Sequence, residues 1–412
     1  MKTGTARTHA LLLVIIVLAA FSALACRNPQ VVNIQREDLF SLDLGKMEDE
    51  LDLFQVPGSP MSSATTLAMR DGIFYLSNGS ANKVMEFTSY GDLISLFYNP
   101  EQNPEPVLLQ SENSQGKVAN RRAFPYYFNQ ISQIAVTRDK YLLVEDRLPE
   151  ERAIYDKNLG VLLDRVVLRF DDEGHLIDFL GQEGVGGTPF PFIKKIYVTK
   201  SDDIVVVTRT LDSWIVFWFT PKGSLRYNVT ISLDKLPVPK NQQVIPTLET
   251  VVPDQDRRRV YLKLNYYHQS VDVTTGARVG MQSVFSRVYW INLETGTYAK
   301  DYVQVPENTQ RVGGGNIFGR QNVTYQYQLV GAAPGQHLIF LSQEDNNREQ
   351  LLVMNTGGRV VRRRYISVED SDLVYKTFAL SPEGILCALL VWDNRAKVVW
   401  WRTDKLFDRE GS

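Results

Sequence analysis

Cysteine and histidine are scarce. The 412 residues hold two of the first and four of the second. Two cysteines cannot build the disulfide framework on which many small exported folds depend. His175, His268 and His337 stand far apart with no ligand spacing around them, and His9 sits near the N-terminus. The common zinc motifs are therefore excluded. An excess of either charge is also missing: Lys plus Arg number 45 and Asp plus Glu 47. No basic surplus argues for nucleic acid, and no acidic tail argues for a solvating segment. Past the N-terminal apolar run, no stretch shows strong helical periodicity. Catalytic signatures are absent too. No nucleophile elbow anchors a serine–histidine–acid set. Gly313-Gly314-Gly315 lacks the Lys-Ser or Lys-Thr pair of a phosphate loop. Asp254-Gln255-Asp256-Arg257 is too short for a calcium loop.

What is present is apolar and β-forming. Hydrophobic residues make up 44% of the chain and aromatics 11%, enough for a large core and against disorder as the main state. At the N-terminus Lys2 and Arg7 precede an apolar run over residues 10–25, broken only by Ser22. That run is shorter than the about 20 residues that span a bilayer, so residues 1–25 read as a secretory signal. The stretch Ala23-Leu24-Ala25-Cys26 resembles a bacterial lipobox, which implies a lipid on Cys26. The alternative is plain cleavage after Ala25, leaving Cys26 as an exposed thiol. With Cys26 lipidated, Cys387 has no disulfide partner. It sits in the run Ile385-Leu386-Cys387-Ala388-Leu389-Leu390 and reads as a small buried hydrophobe.

The rest of the chain repeats. An alternating apolar strand ends in a large hydrophobe, a short polar turn ends in Gly, and a second apolar strand follows. The copies are Val84-Met85-Glu86-Phe87 with Gly91, Val167-Leu168-Arg169-Phe170 with Gly174, and Phe217-Trp218-Phe219 with Gly223. Val288-Tyr289-Trp290-Ile291 with Gly296, Leu351-Leu352-Val353-Met354 with Gly358, and Val398-Val399-Trp400-Trp401 complete the set. A hairpin of two further strands precedes each copy: 65–69 with 73–76, 134–137 with 141–144, 195–199 with 204–208, 247–252 with 260–264, 326–330 with 337–341, and 376–380 with 385–390. The pattern predicts an all-β chain: a six-bladed β-propeller of four-stranded antiparallel blades over residues 38–412. The sixth copy lacks its fourth strand, and residues 38–42 can supply it, closing the ring by pairing the chain ends. Residues 26–37 then remain as a lipid-anchored tether. The alternative leaves residues 27–60 as a flexible tether.

The rhythm resembles NHL repeats, most clearly over residues 74–96, 141–179 and 340–361. The Gly-rich stretch 181–187 resembles the link between such repeats. Lipobox and propeller together resemble spirochaete lipoproteins. The resemblance implies a fold and a tendency to bind; it carries over no catalytic residue.

With strands A to D running from axis to rim, the A–B and C–D turns share one face and are short. The B–C and D–A connections share the other, and residues 98–130, 145–165, 232–246, 266–286 and 305–323 are expected there as long loops. Long connections on a rigid scaffold are where function concentrates, although long loops also drift at little entropic cost. The B–C loops begin with Asn78, Asp146, Arg147, Arg209, His268, Glu344, Asp345 and Asp393, and a D–A loop adds Tyr126 and Tyr127. These ten residues are the expected site at the channel mouth for a partner or a polar ligand. The competing reading is that the Asp and Asn side chains cap their own loops and the aromatics pack between blades. The basic cluster Arg359, Arg362, Arg363 and Arg364 reads as a solvated outer face. The sequence therefore points to a non-enzymatic binding or scaffold lipoprotein of the bacterial cell envelope. It would be anchored to a membrane by Cys26, face the periplasm or the cell surface, and engage an envelope or extracellular protein or a glycan. No cofactor is required. The alternative is a metal-dependent hydrolase or lactonase, with Glu145, Asp146, Glu344, Asp345 and Asp393 holding Ca²⁺ in the central channel.

Overall fold

The computed structural model describes residues 32–53, 65–109, 122–271, 278–312, 321–345, 347–369 and 372–407. The signal segment, Cys26 and residues 27–31 lie outside the described residues.

Six mainly antiparallel sheets form the ring. Blade one comprises Thr65–Arg70, Ile73–Asn78, Lys83–Phe87 and Leu93–Tyr98. Blade two comprises Ile134–Val136, Leu142–Arg147, Arg165–Phe170 and Leu176–Gly181. Blade three comprises Phe192–Val198, Ile204–Arg209, Ser213–Phe219 and Leu225–Ser232. Blade four has Ile245–Pro253, Arg259–Val271 and Arg278–Asn292, and its outer strand is split into Thr297–Tyr298 and Val303–Val305. Blade five comprises Gln328–Ala333, His337–Asp345, Arg348–Asn355 and Val360–Ser367. Blade six has Tyr375–Leu380, Leu386–Val391 and Arg395–Trp401, and takes its fourth strand from Glu37–Asp43.

That last pairing closes the ring as the missing strand predicted. Asp38 stands opposite Val399 and Leu42 opposite Ala396. Lys397 Nζ reaches Asp38 at 2.8 Å, and the Phe40 ring lies 5.9 Å from Phe74 and 5.2 Å from Phe87 of blade one. Within the expected tether, Val32–Asn33 pairs in parallel with the rim strand of blade five, beside Arg364 and Tyr365. Arg122–Pro125 likewise covers the rim of blade one, and Gly184–Val185 that of blade two. These short additions blunt edges that could otherwise recruit other chains.

The repeated glycine has a backbone cause. Gly91, Gly174, Gly223, Gly296 and Gly358 all have φ between 64° and 87°, a region that a side chain disfavours. In four copies the third and fourth strands slip register beside the turn, at Phe87, Phe170, Phe219 and Met354. The first turn residue holds the loop. The Thr88 hydroxyl accepts from the Tyr90 and Asp92 amides, and the Asp171 carboxylate from those of Glu173 and His175.

The core is divided among the seams between blades. Six apolar clusters each draw on two adjacent blades. Phe74 and Leu76 of blade one, for example, meet Leu389 and Val398 of blade six. A single blade buries neither face alone, so the seams make the ring one folding unit. Cys387 is fully buried in the closing seam, its thiol donating to the Ala379 carbonyl, and burial pushes its pKa up to about 12.

Two of the expected long loops fold into hairpins. Residues 145–165 contain the hairpin Ile154–Asp156 with Val161–Leu163, and residues 305–325 contain Asn308–Val312 with Gln321–Tyr325. Residues 266–286 are a correction: in place of a loop, the middle strands of blade four continue outward. Tyr266 pairs with Phe285, His268 with Gln282 and Val271 with Arg278. At its base Tyr266 is fully buried, stacked 4.5 Å from Phe285, and its hydroxyl donates to the Pro237 carbonyl. Farther out both faces of the ribbon meet water, so the inward–outward alternation that marks a strand is lost from the sequence.

Candidate functional site

The innermost strands of all six blades wall a narrow axial channel of about 90 Å³. Its lining is apolar, with Leu67, Ile134, Val252, Val330 and Phe378 among its members. Two polar hollows join it. One of about 660 Å³, between blades five and six on the hairpin side, shares Val330 and Phe378 with the channel. The other, about 1030 Å³ on the short-turn side between blades three and four, shares Gln255.

The short-turn end of the axis is tied by charge. Arg70 of blade one is buried. Its guanidinium lies 3.1 Å from Asp202 of blade three and 3.7 Å from Glu383 of blade six. The Arg138 amide of blade two also donates to Asp202, and the Gly335 amide of blade five to Asp256 of blade four. The A–B turns thus hold one another across the axis.

The hairpin end is different. It gathers exposed apolar side chains, three of them on one hairpin: Tyr155 is 62% exposed, with Ile154 and Leu162 also open. Tyr127 at 66%, Leu211 at 84%, Val238 and Met281 add to the face. At the short-turn end Tyr90, 88% exposed, stands on the outer turn of blade one.

The ten expected residues divide along these lines. Asn78 is fully buried: its amide donates to the Asp52 carbonyl and Thr65 Oγ1, and its Oδ1 accepts from the Asp52 amide. Asp146 is buried and accepts from the amides of Asn129, Gln130 and Arg147. Desolvation raises its pKa to about 6 despite those donors. Neighbouring Glu145, buried and 3.4 Å from Arg165, is raised to about 7 for the same reason. Asn78 and Asp146 therefore pin neighbouring segments, Asn78 the stretch at Asp52 and Asp146 the stretch at Asn129 and Gln130. Tyr126 packs on Phe128 and Phe170 at 4.7 and 5.2 Å, inside the seam between blades one and two. Arg147 is half-open and bound to Asp164 at 2.7 Å. His268 is exposed, its Nδ1 2.8 Å from the Gln243 carbonyl. Glu344 accepts from Gln310 at 2.8 Å, joining blade five to the hairpin Asn308–Val312. Asp345 is placed by its backbone opposite Arg348, and its side chain lies outside the described residues. Tyr127, Arg209 and Asp393 are exposed. Among the ten, Asp146 accepts from the Arg147 amide, and its charge adds to burial in raising the pKa of the Tyr126 phenol; the other described members are spread over separate blades.

The channel does not fit Ca²⁺. Its described lining contains no carboxylate; the one charged side chain in it is Lys195, a cation. Hard divalent cations require several oxygen ligands, including carboxylates. Lys195 also escaped sequence reading. It stands in Phe192–Val198 beside Lys194, and the strand splits the pair: Lys194 is exposed over Trp214, while Lys195 turns to the axis. A pair of adjacent lysines in an otherwise apolar innermost strand, one of which must face inward, was the signal that could have found it.

No family model matches the chain, and no curated protein does. Among solved structures it is similar to an ulvan lyase of polysaccharide lyase family PL25, at 10% identity over 89% of this chain and 83% of that one, TM-score 0.39. It is also similar to a gluconolactonase from Xanthomonas campestris, at 11% over 82% and 87%, TM-score 0.36. The WD40 domain of SCAP from fission yeast matches at 9% over 91% and 99%, TM-score 0.33. Likeness this remote decides nothing about chemistry.

Proposed function

We propose that this propeller is a binding or scaffold module of the bacterial cell envelope, engaging a protein partner through its hairpin face. Propellers of this form commonly serve as rigid platforms. The observation that carries the reading is the exposed apolar set raised on that face, with Ile154, Tyr155 and Leu162 on a single hairpin. Side chains of this kind, rimmed by polar residues, mark interaction sites. In this reading the segment 1–25 directs export and Cys26 carries a lipid, as in spirochaete lipoproteins with NHL-like propellers. Val32 lies on the rim strand of blade five, close in sequence to Cys26, so such an anchor would hold the ring by its rim and leave the hairpins accessible. An envelope glycan is the other candidate ligand for Tyr127 and its neighbours.

The test is crosslinking in intact cells from a photoreactive residue at Tyr127 or Arg147 of the full-length chain. The reading expects one discrete protein product that disappears in Ile154→Ser/Tyr155→Ser. A glycan product would replace the protein partner with a sugar. Absence of any product from both positions would overturn the reading. The hydrolase alternative has its own readout: a large, specific rise in melting temperature with Ca²⁺.

A further inference from the structure

The axial channel holds a functional group that the binding face does not use. Among its described lining residues Lys195 alone is charged, set among apolar walls drawn from all six blades. Its open surface faces the channel and not the outside of the ring. An ammonium in such surroundings needs a counter-charge. The carboxylates on nearby inner strands and turns are engaged elsewhere: Asp202 and Glu383 with Arg70, and Glu249 with Lys263. The titratable groups beside Lys195 are the Tyr197 phenol, which donates to the Val251 carbonyl, and the buried Cys387 thiol. Burial pushes both to high pKa, so both are neutral near pH 7. The same burial lowers the pKa of Lys195 and favours its free amine. A desolvated amine in an apolar pocket is the activated form of lysine used as a nucleophile.

The cavity selects among electrophiles. A volume of about 90 Å³ is roughly three times the ~30 Å³ that one water occupies in the liquid. It admits a molecule of a few heavy atoms. With the amine neutral, a carboxylate there would have no cation to pair with and would bury its charge among apolar walls. A small carbonyl compound loses little on entering, and the hollow between blades five and six borders the channel at Val330 and Phe378.

We propose that Lys195 is a nucleophilic site within the axial channel that condenses with small aldehydes or ketones to form an imine. The Nζ lone pair attacks the carbonyl carbon, forming a C–N bond and a carbinolamine. The carbonyl oxygen then leaves as water, taking both protons from the amine, and the C=N bond remains. No oxidant, reductant or further reactant enters this balance. This site is independent of the hairpin face, so its failure would leave the proposed binding function intact.

The test treats the full-length chain with propanal and cyanoborohydride at pH 7 and maps alkylated lysines over time by peptide mass spectrometry. Lys195 is expected to react several-fold faster than exposed Lys194 on the same strand, because the channel holds its desolvated amine beside the entering carbonyl. A bulky aromatic aldehyde should reverse that order. Lys195→Met, which suits the apolar walls, should fold with an unchanged or raised melting temperature and lose only the fast adduct. The proposal is overturned if Lys195 reacts no faster than Lys194. It is equally overturned if Lys195 reacts only after urea unfolding, or if the bulky aldehyde modifies it as quickly as propanal.

Discussion

At one end of the ring, Arg70, Asp202 and Glu383 come from blades one, three and six and bind across the axis. At the other, Ile154, Tyr155 and Leu162 stand on a hairpin that projects from blade two into solvent. Both ends are made of connections between the same strands. The short-turn end spends its polar groups on one another, so substitutions there should cost stability and spare recognition. The hairpin end leaves apolar area uncovered, so substitutions there should do the reverse. A rigid ring permits this division, because the seams between blades carry most of the core.

The largest effect is expected at Arg70. In Arg70→Met, Asp202 loses its buried partner, and stability should fall by roughly 2–4 kcal/mol in urea unfolding, below the full cost of orphaning a buried charge because the Arg138 amide still reaches Asp202. Crosslinking from Tyr127 should be unchanged in that variant under conditions where it is folded. Gly384→Ala tests the same end. Its φ is 94° and a Cβ there would lie 2.4 Å from the Phe407 ring, so a loss of roughly 2 kcal/mol is expected, visible as a lower urea midpoint.

Beneath the hairpins, Glu145 sharpens the contrast through pH. Its folded pKa, about 7, lies above the ordinary value of 4.5 because burial disfavours the carboxylate. The folded state therefore binds more protons than the unfolded state between those values. Stability from this group is full below about pH 4.5 and declines as pH rises toward 7. Glu145→Gln should flatten that part of the stability curve, and an unchanged slope would refute the assignment. The smallest stability effect belongs to Ile154→Ser/Tyr155→Ser: a change within about 0.5 kcal/mol, as for exposed sites, alongside loss of the crosslinked product.

The sequence exposed the ring well for a physical reason. Middle strands packed on both faces read as short apolar runs, as at Ser213–Phe219 and Leu386–Val391, and a five-residue turn needing positive φ fixes Gly at Gly91, Gly174, Gly223 and Gly358. Closure was legible because Trp401 is followed by too little chain for another strand, while Phe40 and Leu42 offered an unpaired alternating segment. The candidate site was much less legible. Residues 266–286 looked like a loop because a ribbon wet on both faces loses its periodicity. Asn78 and Asp146 looked like mouth residues, yet their partners are the backbone at Asp52 and Gln130, segments brought beside them by the fold and not marked in the local sequence. Lys195 was hidden by its neighbour, since only the strand's facing decides which lysine of the pair meets the axis.

The most direct measurement compares the two ends in one experiment. Photoreactive residues at Tyr155 on the hairpin and at Tyr90, 88% exposed on a short turn, are introduced separately into the full-length chain and activated in intact cells. The account predicts a discrete product from Tyr155, matched by Tyr127, and none from Tyr90. Equal capture from both ends, or capture from Tyr90 alone, would contradict it.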